Sequence, residues 1–300
     1  MLKKVPMRIG SKLPPSLGSL ALLLTAIFPG SAWASSEEGE ISTHLPTIIT
    51  ILEKIFGSTG WIGFLHKWEN VLFALVVVVF MVVMSHLAIR KRALIPGPLQ
   101  NLVEMMVEKF ADFIEGILGK EGRHFVPFLG TLFFYILFMN LLGLIPLMKS
   151  STSVFNTTIA LAISVFVYVQ YTGIRRLGIV KFLHHLAGEP EDVIGWSMVP
   201  LMLPLHIIGE FAKPMSLGLR LFGNIMGEDI LLAVFLGLGV MTLKFLPIPV
   251  GVPFHLPFIF LAILTSAVQA LVFTLLSTIY ISQVLPHDHE DEHEHEHEAP

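Results

Sequence analysis

The sequence predicts an all-α membrane protein with about five membrane-crossing helices. Three observations predict it. The 300 residues are 54% hydrophobic and only 14% charged, against ~25% charged in soluble domains, and the mean hydropathy is +0.75. Several apolar runs reach or exceed the ~20 residues that a helix needs to cross a ~30 Å hydrocarbon core. Arginines and lysines gather at the ends of two of these runs, where cytoplasmic loops carry them. There is no cysteine, which excludes disulfides, thiolate metal sites and cysteine nucleophiles.

The elements follow in order. In residues 1–34, Lys3, Lys4, Arg8 and Lys12 precede a short apolar run from Leu20 to Phe28. Ala32-Trp33-Ala34 follows, in the small-x-small form of a signal-peptidase site. The functional reading is a cleaved signal peptide; the plainer one is an uncleaved, loosely structured N-terminus. Residues 35–68 are mixed and are expected outside, near the surface. The membrane domain is expected over 69–285. Its first span, Val71 to Ile89, ends in Arg90, Lys91 and Arg92, which places that end in the cytoplasm.

Residues 98–120 differ in character. Leu102, Met106, Phe110, Phe113 and Ile117 recur at helical spacing, and Glu104, Glu108, Lys109, Asp112 and Glu115 take other faces. The pattern is that of an amphipathic helix on the cytoplasmic surface. Its acidic face gives no attraction to anionic lipid, so a protein neighbour is as good a partner as the membrane. A second span runs from Phe125 to Leu147 and a third from about Asn156 to Tyr171. Arg175, Arg176 and Lys181 mark cytoplasm again, and residues 181–196 read as a cytoplasmic connection. Two long apolar stretches close the domain, at about 198–242 and 253–285. An outside start and five crossings put the C-terminus inside.

The tail, residues 286–300, ends in HDHEDEHEHEHEAP, which holds seven of the 23 acids and five of the 13 histidines. Without it the chain is slightly basic, with no basic block of the kind nucleic acid needs. Alternating His and acid is a weak pattern for divalent metal, but with no apolar face the tail is expected to be disordered and solvated.

The chemistry concentrates in the penultimate stretch, around KPMSLGLRLFGNIMGED, Lys213 to Asp229. Arg220 stands between leucines. Arginine keeps its charge at any physiological pH, and a charge at mid-bilayer costs at least ~2.5–3.5 kcal/mol. With Arg220 at 0° on a helical wheel of ~100° per residue, Lys213 falls at about 20°, His206 and Asn224 at about 40°, and Glu210 and Glu228 at about 80°. Asp229 falls at about 180°, off this stripe. Along the axis, Glu210 and Glu228 are ~27 Å apart, with Arg220 ~15 Å from the first and ~12 Å from the second. A stripe of this kind can simply pack polar groups against another helix. A permanent cation flanked lengthwise by titratable groups points further, to function. On the last stretch, Gln269, Tyr280, His255, Ser266 and Ser277 share an edge of about 80° that could face the stripe, although Ser, Thr and Tyr often just bond nearby carbonyls. Asn140 is the sole polar side chain deep in LFFYILFMNLLGLIP; it either lines a water path or bonds one neighbouring helix.

These segments carry a resemblance. KPMSLGLRLFGN, FMNLLGLIP, NTTIALAI and VQALVFTLLSTIYIS resemble, collinearly over roughly 65–285, the a subunit of F-type ATP synthases. The resemblance implies a non-catalytic stator subunit in a bacterial inner membrane, facing a rotor ring of c subunits and held by b-type peripheral stalk subunits within the ATP synthase complex. It implies that Arg220 is the stator arginine and that Asn140, Asn224 and Gln269 lie along the proton path, with Asp229 at a position usually acidic. It implies no cofactor. It also implies that the last two long helices form a tilted hairpin rather than two upright spans. Three positions depart from relatives. Gly143 stands where some carry an acid, His206 where many carry Glu, and Ala262 where they often carry His or Glu; the position of Glu228 is commonly glycine. The proton-translocating set expected is therefore Arg220, Asn224, Glu228, Asp229, Gln269, Asn140, Glu210 and His206. The rival reading is an independent ion-coupled transporter, which no visible internal repeat supports and which would transport when reconstituted alone. There is no Gly-rich phosphate loop, so the chain makes no ATP itself.

Because the tail has no face with which to pack, truncation after Leu285 should leave ATP-driven proton pumping in membrane vesicles unchanged. Loss of pumping in an assembled complex would show that the tail is part of the mechanism.

Overall fold

The computed structural model describes residues 47–56, 60–89, 97–188, 193–242 and 254–285. The expected signal peptide (1–34) and acidic tail (286–300) lie outside the described residues. Those residues are nearly all helical, with no strand among them. Helices α1 (Ile48–Phe56) and α2 (Gly60–Lys67) precede α3 (Glu69–Ile89). Helix α4 (Pro98–Leu118) leads through a 3-10 turn, Gly119–His124, into α5 (Val126–Gly143). A second 3-10 turn, Ser151–Ser153, opens onto α6 (Phe155–Leu186). Helices α7 (Val193–Thr242) and α8 (Leu256–Ser282) complete the fold. Among the described residues five helices, α3 and α5 to α8, are long and apolar enough to cross a membrane.

Helix α7 decides the shape. Its apolar stretch, Gly195–Gly239, has 45 residues, ~68 Å at ~1.5 Å per residue. That is about twice the hydrocarbon thickness, so α7 cannot stand upright and must run obliquely. Pro200, Pro204 and Pro214 lie inside it without ending it, as transmembrane helices tolerate. Helix α8 runs antiparallel to α7: the side chain of Lys213 reaches Gln283, and that of Glu228 reaches Thr265.

Helix α6 is longer than the run from Asn156 to Tyr171. It continues to Leu186 with one break at Gly178, whose φ of 77° and ψ of 158° only glycine adopts easily. Much of the expected connection over 181–196 is therefore helical. The apolar run ended early because Arg175, Arg176 and Lys181 are charged, but charge at a membrane face does not stop a helix.

The core is Phe125 just before α5, Leu129 and Ile136 of α5, Leu217, Leu221 and Ile225 of α7, and Phe273 and Ile281 of α8, closed by Ala162 and Val165 of α6. The second half of α4 docks on it: Phe110 stacks on Phe133 at 5.2 Å between centroids, and Ile114 is wholly buried. Leu102 and Met106, on the apolar stripe read from periodicity, stay exposed. Ile114, one turn beyond Phe110, is buried instead because the 3-10 turn folds back over it, with Gly122 close enough that an added Cβ would meet the Ile114 carbonyl at 3.0 Å.

Helices α6 and α7 meet at Gly218. A Cβ there would lie 3.0 Å from Ile159 Cδ1, 3.3 Å from Ala162 Cβ and 3.3 Å from the Thr158 carbonyl. Small residues allow such close approach where no hydrophobic force drives helices together. Gly218→Val should cost about 1–3 kcal/mol through overpacking, read as a lower thermal midpoint of the purified complex. A midpoint equal to wild type would show that the contact is loose.

Candidate functional site

The polar side chains of α7 sort into stations along its length. Arg220, near the middle, is exposed and has no hydrogen-bond or ion-pair partner among the described residues. Leu217 and Leu221, about 60° and 100° round the helix from it, are buried and hold the helix against the core, so Arg220 stands at the edge of the packed face. Gly209, Ala212, Ser216, Gly223 and Gly227 fall within about 80° on one side of Arg220. All five are exposed, and a Cβ added at Gly209, Gly223 or Gly227 would meet nothing within 4 Å. The result is a smooth surface of small residues with one cation at its edge.

Beyond Arg220 toward the C-terminal end of α7, two bonds join α7 to α8. Asn224 Nδ2 donates to Oε1 of the buried Gln269 at 2.6 Å, and Thr265 Oγ1 donates to Glu228 Oε2 at 2.9 Å. Asp229 turns to a different neighbour, Ser153 in the 3-10 turn after α5, within reach of the Lys149 ammonium. Consecutive residues of a helix point ~100° apart, and that angle separates these two carboxylates. Ser150, Ser151 and Thr152 form a buried polar knot nearby. Thr152 Oγ1 donates to Asn140 Oδ1 at 2.6 Å and lies 2.6 Å from Ser150 Oγ, while Ser151 Oγ donates to the Asn70 carbonyl at 2.6 Å. Asn140 thus bonds the turn after its own helix, and its Nδ2, also buried, has no partner among the described residues.

Toward the N-terminal end of α7 lies a second station. Glu210 pairs with Lys213, one turn on, and accepts a 2.9 Å bond from Gln170 Nε2 of α6. Lys213 also donates to Gln283 Oε1 at 2.9 Å and lies 5.6 Å from the centre of the Tyr280 ring. His206 is not part of it: it is exposed, and its Nδ1 lies 3.1 Å from the Met202 carbonyl of its own helix.

On α8 the weaker expectations resolve into two kinds. Ser277 Oγ bonds the Phe273 carbonyl of its own helix at 2.8 Å, while Gln269 and Tyr280 face α7. Sequence reasoning missed Thr265, Gln170, Gln283 and the hydroxyls after α5. Gln170 was the most findable, as a lone amide on the apolar face of α6. The hydroxyls lie in a turn with no periodicity to reveal their direction. Among the described residues no three His, Cys, Asp or Glu side chains are grouped to hold a metal.

The family model described as ATP synthase A chain matches residues 71–282. The chain belongs to the ATP synthase A chain family. Curated relatives agree. A protein named ATP synthase subunit a from Protochlamydia amoebophila is 50% identical over 79% of this chain and 88% of its own length. Proteins of the same name from Solidesulfovibrio magneticus and Moorella thermoacetica are 39% and 36% identical, over 74% and 76% of this chain and 86% and 95% of theirs. For this member of the A chain family, two of the departures noted in the sequence have a steric setting. A Cβ at Gly143 would lie 2.6 Å from that of Ser150, and Ala262 is buried one turn before Thr265. Both leave little room for an acid, whereas Glu228 has room and a donor.

Proposed function

We propose that this chain is the proton-channel stator of an F-type ATP synthase. In this reading it supplies two half-channels to and from the carboxylates of a c-ring, Arg220 separates them, and proton flow turns the rotor that drives ATP synthesis elsewhere in the complex. It lies in a bacterial inner membrane with its N-terminus outside and its C-terminus in the cytoplasm, and b-type peripheral stalk subunits hold it against the ring. The observation that carries the reading is Arg220: a permanent cation, exposed and without a partner in its own chain, on an apolar helix between two polar stations. The small residues beside it let helices of a partner approach closely.

The physics follows from the charge. A proton enters through one half-channel, rides the ring and leaves through the other, so the two water paths must not meet. A fixed cation between them repels protons and stabilises a passing rotor carboxylate in its ionised form. Lysine would serve less well, because a desolvated lysine can lose its proton and arginine cannot. Each proton moving down the potential supplies ~2.3 kcal/mol per 100 mV. Asn224, Gln269, Glu228, Asp229 and Asn140 belong to the outer path and Glu210 to the inner one. His206, apart from both stations, belongs at the inner mouth.

Arg220→Ala, Arg220→Gln and Arg220→Lys should each abolish ATP-driven proton pumping in vesicles whose complex is assembled by immunoblot. Normal pumping in Arg220→Lys would overturn the mechanism.

Glu228 faces α8 on the Arg220 stripe and Asp229 faces the turn after α5, so Glu228 is the main outer relay and Asp229 secondary. Glu228→Gln should slow proton flux about a hundredfold or more, in the range of a lost proton-transfer group, and Asp229→Asn should slow it less. The reverse order of effects would move the relay to Asp229.

A further inference from the structure

We propose that Glu210 is the group that releases protons on the inner side, that Tyr280 relays protons to it, and that Lys213, Gln170 and Gln283 position it for that step. The inference rests on the stator reading above and adds to it a direction and a set of residues. Three helices converge on one carboxylate: Gln170 comes from α6, Lys213 from α7, and Tyr280 and Gln283 from the end of α8. The cluster lies at the end of α6 that carries Arg175, Arg176 and Lys181, the cytoplasmic end by the positive-inside rule.

A carboxylate that merely stapled two helices would need one partner. Glu210 has its two oxygens held separately, Oε1 by Lys213 and Oε2 by Gln170. The ammonium of Lys213 is itself tied to Gln283, so it balances the charge of Glu210 without turning away. Such double anchoring fixes the direction in which a proton can be received. The link toward the rotor is Tyr280. Its ring centre lies 5.6 Å from the ammonium of Lys213, a residue that stands between Glu210 and Arg220, themselves ~15 Å apart along α7. Glu210, Lys213, Tyr280 and Leu217 also border a cavity of about 10 Å³, at the lower limit for one water molecule.

The step balances without any redox partner. A protonated rotor carboxyl arriving at Arg220 gives up its proton. The Tyr280 hydroxyl accepts a proton on oxygen as it passes its own onward, directly or through one water, to the Glu210 carboxylate. Glu210 then gives the proton to bulk water on the inner side and returns to the ionised, Lys213-paired state. The rotor carboxylate is left ionised beside Arg220.

The test uses inverted membrane vesicles carrying the whole complex, with ATP-driven proton uptake followed in H2O and in D2O. Glu210→Gln and Tyr280→Phe should each lower the rate about a hundredfold or more, as expected for a lost proton-transfer group, with wild-type assembly. The rate that remains should show a larger solvent isotope effect than wild type, because proton transfer has become limiting. Glu210→Asp and Lys213→Arg should recover much of the rate that Glu210→Gln and Lys213→Met lose. Wild-type pumping in Glu210→Gln or Tyr280→Phe would overturn the inference, as would a slower rate with an unchanged isotope effect, the mark of a structural staple. Tyr280→Phe removes one oxygen and keeps the ring, so it tests the relay even where charge variants fail to assemble. Arg220→Gln in the same vesicles separates the two levels. If it pumps, the stator reading fails; if it does not while Glu210→Gln and Tyr280→Phe pump normally, only the present inference fails.

Discussion

An arginine that its own chain leaves uncompensated governs this structure. Burying a cation away from water without a counter-charge is costly, and ordinary membrane helices avoid it by pairing or by snorkelling to the interface. Arg220 does neither within this chain: it sits mid-helix, exposed and without a partner among the described residues. The rest of α7 is organised around that. Gly218 and Ile225 seat the opposite face against α6 and the core, the small residues beside Arg220 keep its own face open, and the flanking carboxylates stand more than two helical turns away, too far to neutralise it.

The second constraint is how such a helix stays attached. In lipid there is no hydrophobic force between helices, so close packing and interhelical hydrogen bonds must hold them. Both devices are present. Gly218 brings α7 against α6, and three side-chain bonds join α7 to α8, at Asn224–Gln269, Glu228–Thr265 and Lys213–Gln283. Each is worth on the order of 0.6 kcal/mol in a membrane, so none dominates. Their distribution matters more. They lie on both sides of Arg220 along α7, whose own side chain has no bond among the described residues.

The turn after α5 shows the same logic in a different material. Buried hydroxyls and amides cost free energy unless bonded, and here Ser150, Ser151 and Thr152 bond one another, Asn140 and the Asn70 carbonyl. The close approach of Ser150 to Gly143 excludes a side chain there, and the burial of Ala262 does the same on α8. A carboxylate in this region therefore has to come from α7, and Glu228 and Asp229 supply it from two different faces.

Much of this was legible in the sequence. Composition and run length determined the all-α membrane class, and helical phase alone separated Glu228 from Asp229 and aligned Glu210, Lys213, Arg220 and Asn224, because a continuous helix carries its phase across many turns. The motifs around Arg220 pointed to the family before any fold was in hand. What phase cannot report is which face meets which neighbour. Whether Asn140 lined water or bonded a neighbour, that Gln170 and Gln283 would hold the Glu210–Lys213 pair, and that Ile114 rather than Leu102 would be buried were decided by the tertiary structure. The side-chain bonds among these join residues 12 to 70 positions apart through turns that have no period, so their directions are set by packing and not by local sequence.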